Sequence, residues 1–268
     1  MQRTIYLDNA TTTVLDPKVL EAMKQYFFEW YGSPTHEYGH TFGLKAREAL
    51  ERSREIIARS IGAKPEEIIF TSGGTESNNL AIKGLALASK DKTHLITSKI
   101  EHTSVLNVVK SLGKIGFQMS YIDVDEEGFV DLEQLEKKID KQTLLVSIQH
   151  ANQEIGTIQD VKEIGNICKE KGVLFHVDAV QSFTKVPIDV EKMNIDLLSL
   201  SAHKIHGPKG VGALYIREGV KLKPLIEGGY NEFGLRSGSE NIPGIAVSYT
   251  HLRAHETSLH LVCRLLLE

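Results

Sequence analysis

Lys204 follows an apolar stretch and precedes a Gly/Pro loop, in the run Ser199-Leu200-Ser201-Ala202-His203-Lys204-Ile205-His206-Gly207-Pro208. A lysine amine held against low-dielectric walls has a lowered pKa and attacks carbonyls as a Schiff-base former, although most lysines are solvated surface residues. Asp178 ends the apolar segment 173–177. A carboxylate there is costly unless paired or hydrogen-bonded, and a buried pyridinium nitrogen is a natural partner; capping the next helix is the ordinary alternative. In Thr71-Ser72-Gly73-Gly74-Thr75-Glu76-Ser77 two glycines lie between a strand and a helix pattern. Glycines there let backbone N–H groups approach an anion, the helix start adds partial positive charge, and Thr75 adds a hydroxyl, which makes a phosphate cup. His102 offers a flat ring and Asn152 an amide donor, each also a common loop or cap residue. Taken jointly, a phosphate cup, a stacking ring, an amide, an acid and a lysine suit a planar, phosphorylated, pyridine-containing aldehyde.

These residues need a scaffold that gathers strand ends. Apolar periodicity predicts helices over 17–30, 42–61, 75–88, 103–115, 131–139 and 160–171, the first capped by Asp16 ahead of Pro17. In the second, Ala46, Ala49, Leu50, Ser53, Ile57 and Ile61 share one face, and Arg47, Glu48, Glu51, Arg52 and Arg54 lie elsewhere. Strands are predicted over 67–71, 93–98, 118–123, 143–149, 173–178, 196–201 and 211–217. Several are continuous apolar runs, which suit a parallel sheet covered on both faces, and strand–helix alternation argues an α/β fold. Ligands of such sheets gather at the carboxyl ends of strands, where the candidate residues fall.

Composition narrows the class. The 268 residues are 41% hydrophobic and 25% charged, with a net charge of −4. That balance offers no polybasic footprint for nucleic acid or an anionic membrane, and no apolar run approaches a transmembrane span. The two cysteines, Cys168 and Cys263, cannot form a disulfide framework, and the start lacks a signal-peptide pattern, so a cytoplasmic location is expected. Ser201 to Lys204 also fits the S-x-x-K acyl-enzyme signature, but the S-D-N and K-T-G that go with it are missing. His255 and His260 are spaced wrongly for an H-E-x-x-H zinc pair, so no metal is expected.

The same words, in order, carry a family resemblance: Tyr6-Leu7-Asp8-Asn9-Ala10-Thr11-Thr12, the Thr71–Ala81 run, Glu101-His102, Asn152-Gln153-Glu154-Ile155-Gly156, His176-Val177-Asp178-Ala179-Val180-Gln181, Ser201 to Gly210, and Arg236-Ser237-Gly238-Ser239-Glu240-Asn241. The chain resembles the class V pyridoxal-phosphate enzymes, most of all the cysteine desulfurases of the NifS/IscS type. The resemblance implies a three-layer pyridoxal-phosphate transferase fold with a mostly parallel central sheet. It implies that Lys204 holds the cofactor aldehyde as a Schiff base, that Asp178 pairs with the ring nitrogen, and that Gln181 and Asn152 serve the ring hydroxyl. His102 would stack on the ring. Gly74, Thr75, Ser201, Ala202 and His203 would line the phosphate side. Ser239, where threonine is usual, would reach the phosphate of a partner subunit in a homodimer.

The implied activity converts L-cysteine to L-alanine and leaves an enzyme persulfide, with a sulfur-acceptor or scaffold protein of iron–sulfur assembly as partner. A selenocysteine lyase, an aminotransferase or a non-catalytic cofactor-binding fragment is the alternative. Residues 1–247 are expected to form the large cofactor-binding domain with its N-terminal segment. Residues 248–268 do not resemble the family's small C-terminal domain, which carries its sulfur-accepting cysteine and carboxylate-binding arginine; they are expected to be a truncated or chimeric end, and turnover of cysteine is expected to be absent.

Overall fold

The structure, a computed structural model, describes residues 5–34 and 39–248. The predicted tail therefore lies outside the described residues, save for Ser248. Seven strands form one sheet: β1 (Ile68–Thr71), β2 (His94–Ser98), β3 (Gln118–Ile122), β4 (Thr143–Gln149), β5 (Leu174–Asp178), β6 (Leu197–Ser201) and β7 (Gly212–Ile216). Their order is β1-β7-β6-β5-β4-β2-β3. All neighbours are parallel except β7, which runs antiparallel to both β1 and β6. This is the mostly parallel sheet that the apolar runs imply.

The helices are α1 (Pro17–Phe28), α2 (Thr41–Ile61), α3 (Gly74–Asn79), α4 (Leu85–Ala88), α5 (Thr103–Gly113), α6 (Leu132–Lys138), α7 (Val161–Lys171) and α8 (Ile242–Ser248). Asp16 caps α1 by accepting from the Lys18 N–H at 2.6 Å. The predicted helix 75–88 is broken by a wider π-turn over Leu80–Gly84. There the Gly84 carbonyl accepts from the Lys223 N–H at 2.9 Å, a contact from outside the helix that periodicity cannot register. The short α8 was not predicted from the sequence.

Two apolar layers enclose the sheet. Leu50, Ile57 and Ile61 of α2 and Ile164 of α7 pack with Val146, Ile148, Phe175 and Val177 on one face. On the other, Leu80, Leu85, Val105 and Val109 pack with Leu95, Leu145, Leu197 and Leu214. The predicted inner face of α2 is buried throughout. Arg54, read as lying away from that face, is a correction: it is 2% exposed. Its guanidinium forms a two-pronged pair with Glu232 at 2.9 Å on both prongs and lies 5.0 Å from the ring centres of Phe70 and Phe233. Its partner comes from the far end of the chain, so the helix period alone makes it look like a solvent-facing charge.

One buried polar group ties the sheet together under the strand ends. His176 is fully buried between the hydroxyls of Ser147 on β4, at 2.8 Å, and Ser199 on β6, at 2.9 Å. Burial pushes its imidazole down to about 3, so it is a neutral, fully hydrogen-bonded crosslink two residues below Asp178. Among the described residues no helix is long and apolar enough to cross a membrane, and no group of three or more His, Cys, Asp or Glu could hold a metal ion.

Candidate active site

A cleft of about 710 Å³ opens over the carboxyl ends of the central strands. Asp178, the last residue of β5, forms its floor and is 6% exposed. Its Oδ2 accepts from Asn78 Nδ2 at 2.7 Å and its Oδ1 from the Val180 N–H at 3.0 Å. Burial pushes this carboxyl up, against the pull of those two donors and of nearby His102 and Lys204. A cation placed against it in the cleft would favour the carboxylate.

On one side of Asp178 the sheet provides an anion cradle. The turn after β1 passes through Gly73 at φ 151° into α3, and no side chain caps that helix start. First-turn N–H groups have no intrahelical partner, so those of Gly74 and Thr75 are available to an anion. Any side chain at position 74 would meet Val180 Cγ2 at 2.5 Å, which is why only glycine lets the turn settle beside β5. Ser201, the last residue of β6, turns a buried Oγ with no hydrogen-bond partner within the protein toward the same cleft. An unpaired buried hydroxyl is costly and marks a place for a ligand acceptor.

Lys204 sits in a single 3-10 turn, Ala202–Lys204, just beyond Ser201. Its amine donates to the carbonyls of Ala10 and Thr11, the latter at 2.8 Å. Burial and the nearby Lys185 push its pKa down, against the attraction of Asp178 and Asp8. The N-terminal segment is pinned over this turn: the Thr13 N–H and hydroxyl both donate to the His203 carbonyl, at 3.0 and 2.9 Å, and Thr13 Oγ1 accepts from the His206 N–H at 2.7 Å. His203 Nδ1 lies 3.1 Å from Thr12 Oγ1, and Gln181 Nε2 donates to the Ala10 carbonyl at 2.9 Å. His102 caps α5 by accepting the Ser104 N–H on Nδ1 at 3.1 Å, which leaves the proton of a neutral ring on Nε2.

The cleft thus brings together Gly74, Thr75, His102, Asp178, Gln181, Ser201, His203 and Lys204 from the sequence reading. Three residues are not on its wall. Asn152 is 7% exposed and engaged in its own loop, donating from Nδ2 to the Ile100 carbonyl at 3.1 Å and accepting from the Glu154 N–H at 2.8 Å. Ala202 is buried, its N–H taken by the Val211 carbonyl. Ser239 is exposed, in the loop where Arg236 pairs with Glu76 at 3.0 Å. Sequence reasoning missed Asn78, one polar residue among several in a helix start, and Gln149, the polar end of an apolar strand. It also missed the role of the Ala10 and Thr11 carbonyls, which no side-chain pattern reveals.

The donor set fits pyridoxal phosphate. The cradle and Ser201 Oγ suit its phosphate, the buried Asp178 suits its ring nitrogen, and the lysine of lowered pKa suits its aldehyde.

Cys168 lies on α7, fully buried within the apolar layer that α2 and α7 form against the sheet. Burial, helped by the negative charge of Asp196, pushes its thiol up to about 12. In the native chain the Cys168 peptide is expected to stay unmodified by iodoacetamide at neutral pH and to react fully in urea; rapid native labelling would contradict this burial. Cys263 lies outside the described residues.

A family model described as aminotransferase class-V matches residues 5–257. Among curated relatives, a protein named cysteine desulfurase IscS from Dictyoglomus turgidum is 54% identical over 246 residues, covering 91% of this chain and 62% of that one. A protein of the same name from Rickettsia massiliae is 48% identical, covering 96% of this chain and 64% of that one. This chain therefore spans less than two thirds of the length of these relatives. Among solved structures, a NifS-like protein superposes with a TM-score of 0.92 at 45% identity, covering 97% of this chain and 72% of that one. SspA in complex with cysteine superposes with a TM-score of 0.90 at 46% identity, covering 93% and 72%.

Proposed function

The chain belongs to the aminotransferase class-V family, and on that premise we propose that it is the pyridoxal-phosphate-binding part of a cysteine desulfurase and does not by itself turn over cysteine, Cys168 being buried. The observation that carries this reading is the pairing, across one cleft, of a lysine amine of lowered pKa with a buried carboxylate and an uncapped helix start. The substrate is L-cysteine; its C–S bond breaks, sulfur passes to a thiol as a persulfide, and L-alanine leaves. The names of the relatives and the cysteine bound to SspA support that choice of substrate. Sulfur delivery to an acceptor or scaffold protein for iron–sulfur cluster assembly, a homodimer and a cytoplasmic setting belong to the same reading.

When bound, the cofactor supplies an aldehyde that condenses with amines and an electron-withdrawing ring that weakens bonds at the substrate Cα. The protein's part is to hold and tune it. Lys204, whose Nζ donates to the Ala10 and Thr11 carbonyls, would hold the cofactor at its aldehyde end. Asp178, fixed by Asn78 and the Val180 N–H, would keep a proton on the ring nitrogen. Gly74, Thr75, Ser201 and His203 would hold the phosphate, and Ser239 would reach the phosphate of a partner subunit. His102, fixed through Nδ1, would lie against the ring face with Nε2 free for proton transfer.

The test is covalent mapping. The full chain is incubated with pyridoxal phosphate, reduced with borohydride, digested and analysed by mass spectrometry. A pyridoxyl group on Lys204 is expected. A tag on Lys185 or Lys209 in its place would overturn the assignment.

A further inference from the structure

Gln149, the last residue of β4, has no part in the reading above. It is 2% exposed and lines the cleft, yet neither Nε2 nor Oε1 of its side chain has a hydrogen-bond partner within the protein. Both ends of a buried amide left unpaired destabilise a fold, and such groups call for a ligand. Only the Gln149 backbone is engaged: its N–H donates to Glu101 Oε1 at 2.9 Å.

Position narrows what the amide meets. Gln149 is in register with Asp178 on the neighbouring parallel strand, so the two side chains leave the same face of the sheet. β5 lies between β6 and β4, which puts Ser201 and the anion cradle on one side of Asp178 and Gln149 on the other. In pyridoxal phosphate the phosphate arm and the ring hydroxyl flank the ring nitrogen on opposite sides, each two ring atoms away. With the nitrogen at Asp178 and the phosphate in the cradle, the hydroxyl edge turns toward β4. Asn152 near that edge is engaged with Ile100 and Glu154, and Gln181 Nε2 shares the Ala10 carbonyl with Lys204.

We propose that Gln149 is a further cofactor-contacting residue, whose side-chain amide hydrogen-bonds the hydroxyl edge of the bound pyridine ring. The assignment rests on the pyridoxal-phosphate reading above. It makes an unusual pair of demands on one substitution. In Gln149→Met the two unpaired polar atoms are removed, so the melting temperature of the cofactor-free full chain should rise by about 2–4 °C. The same change should raise the dissociation constant for pyridoxal phosphate, read by equilibrium dialysis, about tenfold. For 3-deoxypyridoxal phosphate, which lacks the hydroxyl, the parent and the variant should agree within about twofold. Gln149→Leu provides a second apolar variant of similar size, and the parent's own preference for the hydroxyl-bearing ligand needs no variant.

A lower melting temperature with unchanged affinity would make Gln149 purely structural and overturn the proposal. Equal weakening for both ligands would also overturn it. If the parent binds and the variants bind equally well, this inference fails alone; if the parent does not bind pyridoxal phosphate, the reading beneath it fails as well.

Discussion

Arg54→Met is expected to cost the fold about 3–5 kcal/mol, because it strands a buried carboxylate. Arg54 and Glu232 have side chains that are each 3% exposed, and they meet through two parallel hydrogen bonds of 2.9 Å. Burial works against the guanidinium charge, but the Glu232 contacts outweigh it, and the net shift favours the charged form. Arg54 also donates to the Ile68 carbonyl at the start of β1 and to Glu51 at 3.2 Å, while Glu232 accepts the Phe70 N–H at 2.7 Å. The pair thus clamps α2, β1 and the loop that follows β7. That loop is strained: Glu232 and Phe233 both sit at positive φ, 46° and 55°, where non-glycine residues are disfavoured. The double variant Arg54→Met, Glu232→Leu should recover part of the loss, since it removes the stranded carboxylate along with its partner. Urea unfolding of the parent, both single variants and the double variant gives the coupling energy directly. A cost below about 1 kcal/mol for Arg54→Met would show the pair to be dispensable.

This pair also marks where sequence reading stops. Most of the seven strands are legible because they are short, largely apolar runs bounded by glycine, proline or polar turns. Asp178 and Lys204 are legible for the opposite reason: an acid and a lysine at the ends of apolar strands conflict with burial unless something pairs with them. The pairing order is not legible, because β1 finds β7 from the other end of the described chain and no local signal specifies that contact. Arg54 fails in the same way, its partner being 178 residues away. Gln149 fails for a subtler reason. At the end of Thr143–Gln149 a polar residue looks like the strand leaving the core, yet it stays as buried as the residues before it. Only the neighbouring Asp178, placed by the register of β4 and β5, shows that this end of the strand is a cleft floor rather than solvent.

Beside that floor, Glu101→Gln is expected to flatten the pH dependence of stability and to stabilise the chain by about 2–5 kcal/mol above pH 8. Glu101 is 5% exposed; its Oε1 accepts from Ser98 Oγ at 2.6 Å and the Gln149 N–H at 2.9 Å, and its Oε2 has no partner within the protein. Burial outweighs the two donors and, with the nearby Asp178 charge adding to it, pushes the carboxyl up to about 8. The unfolded chain loses this proton in the ordinary glutamate range, near about 4.3. Between that value and about 8 the folded state therefore holds more protons than the unfolded one. Stability is full below the window, falls through it by up to about 1.4 kcal/mol per pH unit, and levels off above it. Glutamine keeps the Oε1 acceptor, exchanges one unpaired O–H for an unpaired N–H₂, and does not titrate. Asp178 titrates in both proteins, so the difference between their curves reports Glu101 together with its coupling to Asp178. Urea midpoints measured from pH 4 to 9 should diverge up to about pH 8 and run parallel above it; curves parallel throughout would mean that Glu101 titrates alike in the folded and unfolded chain.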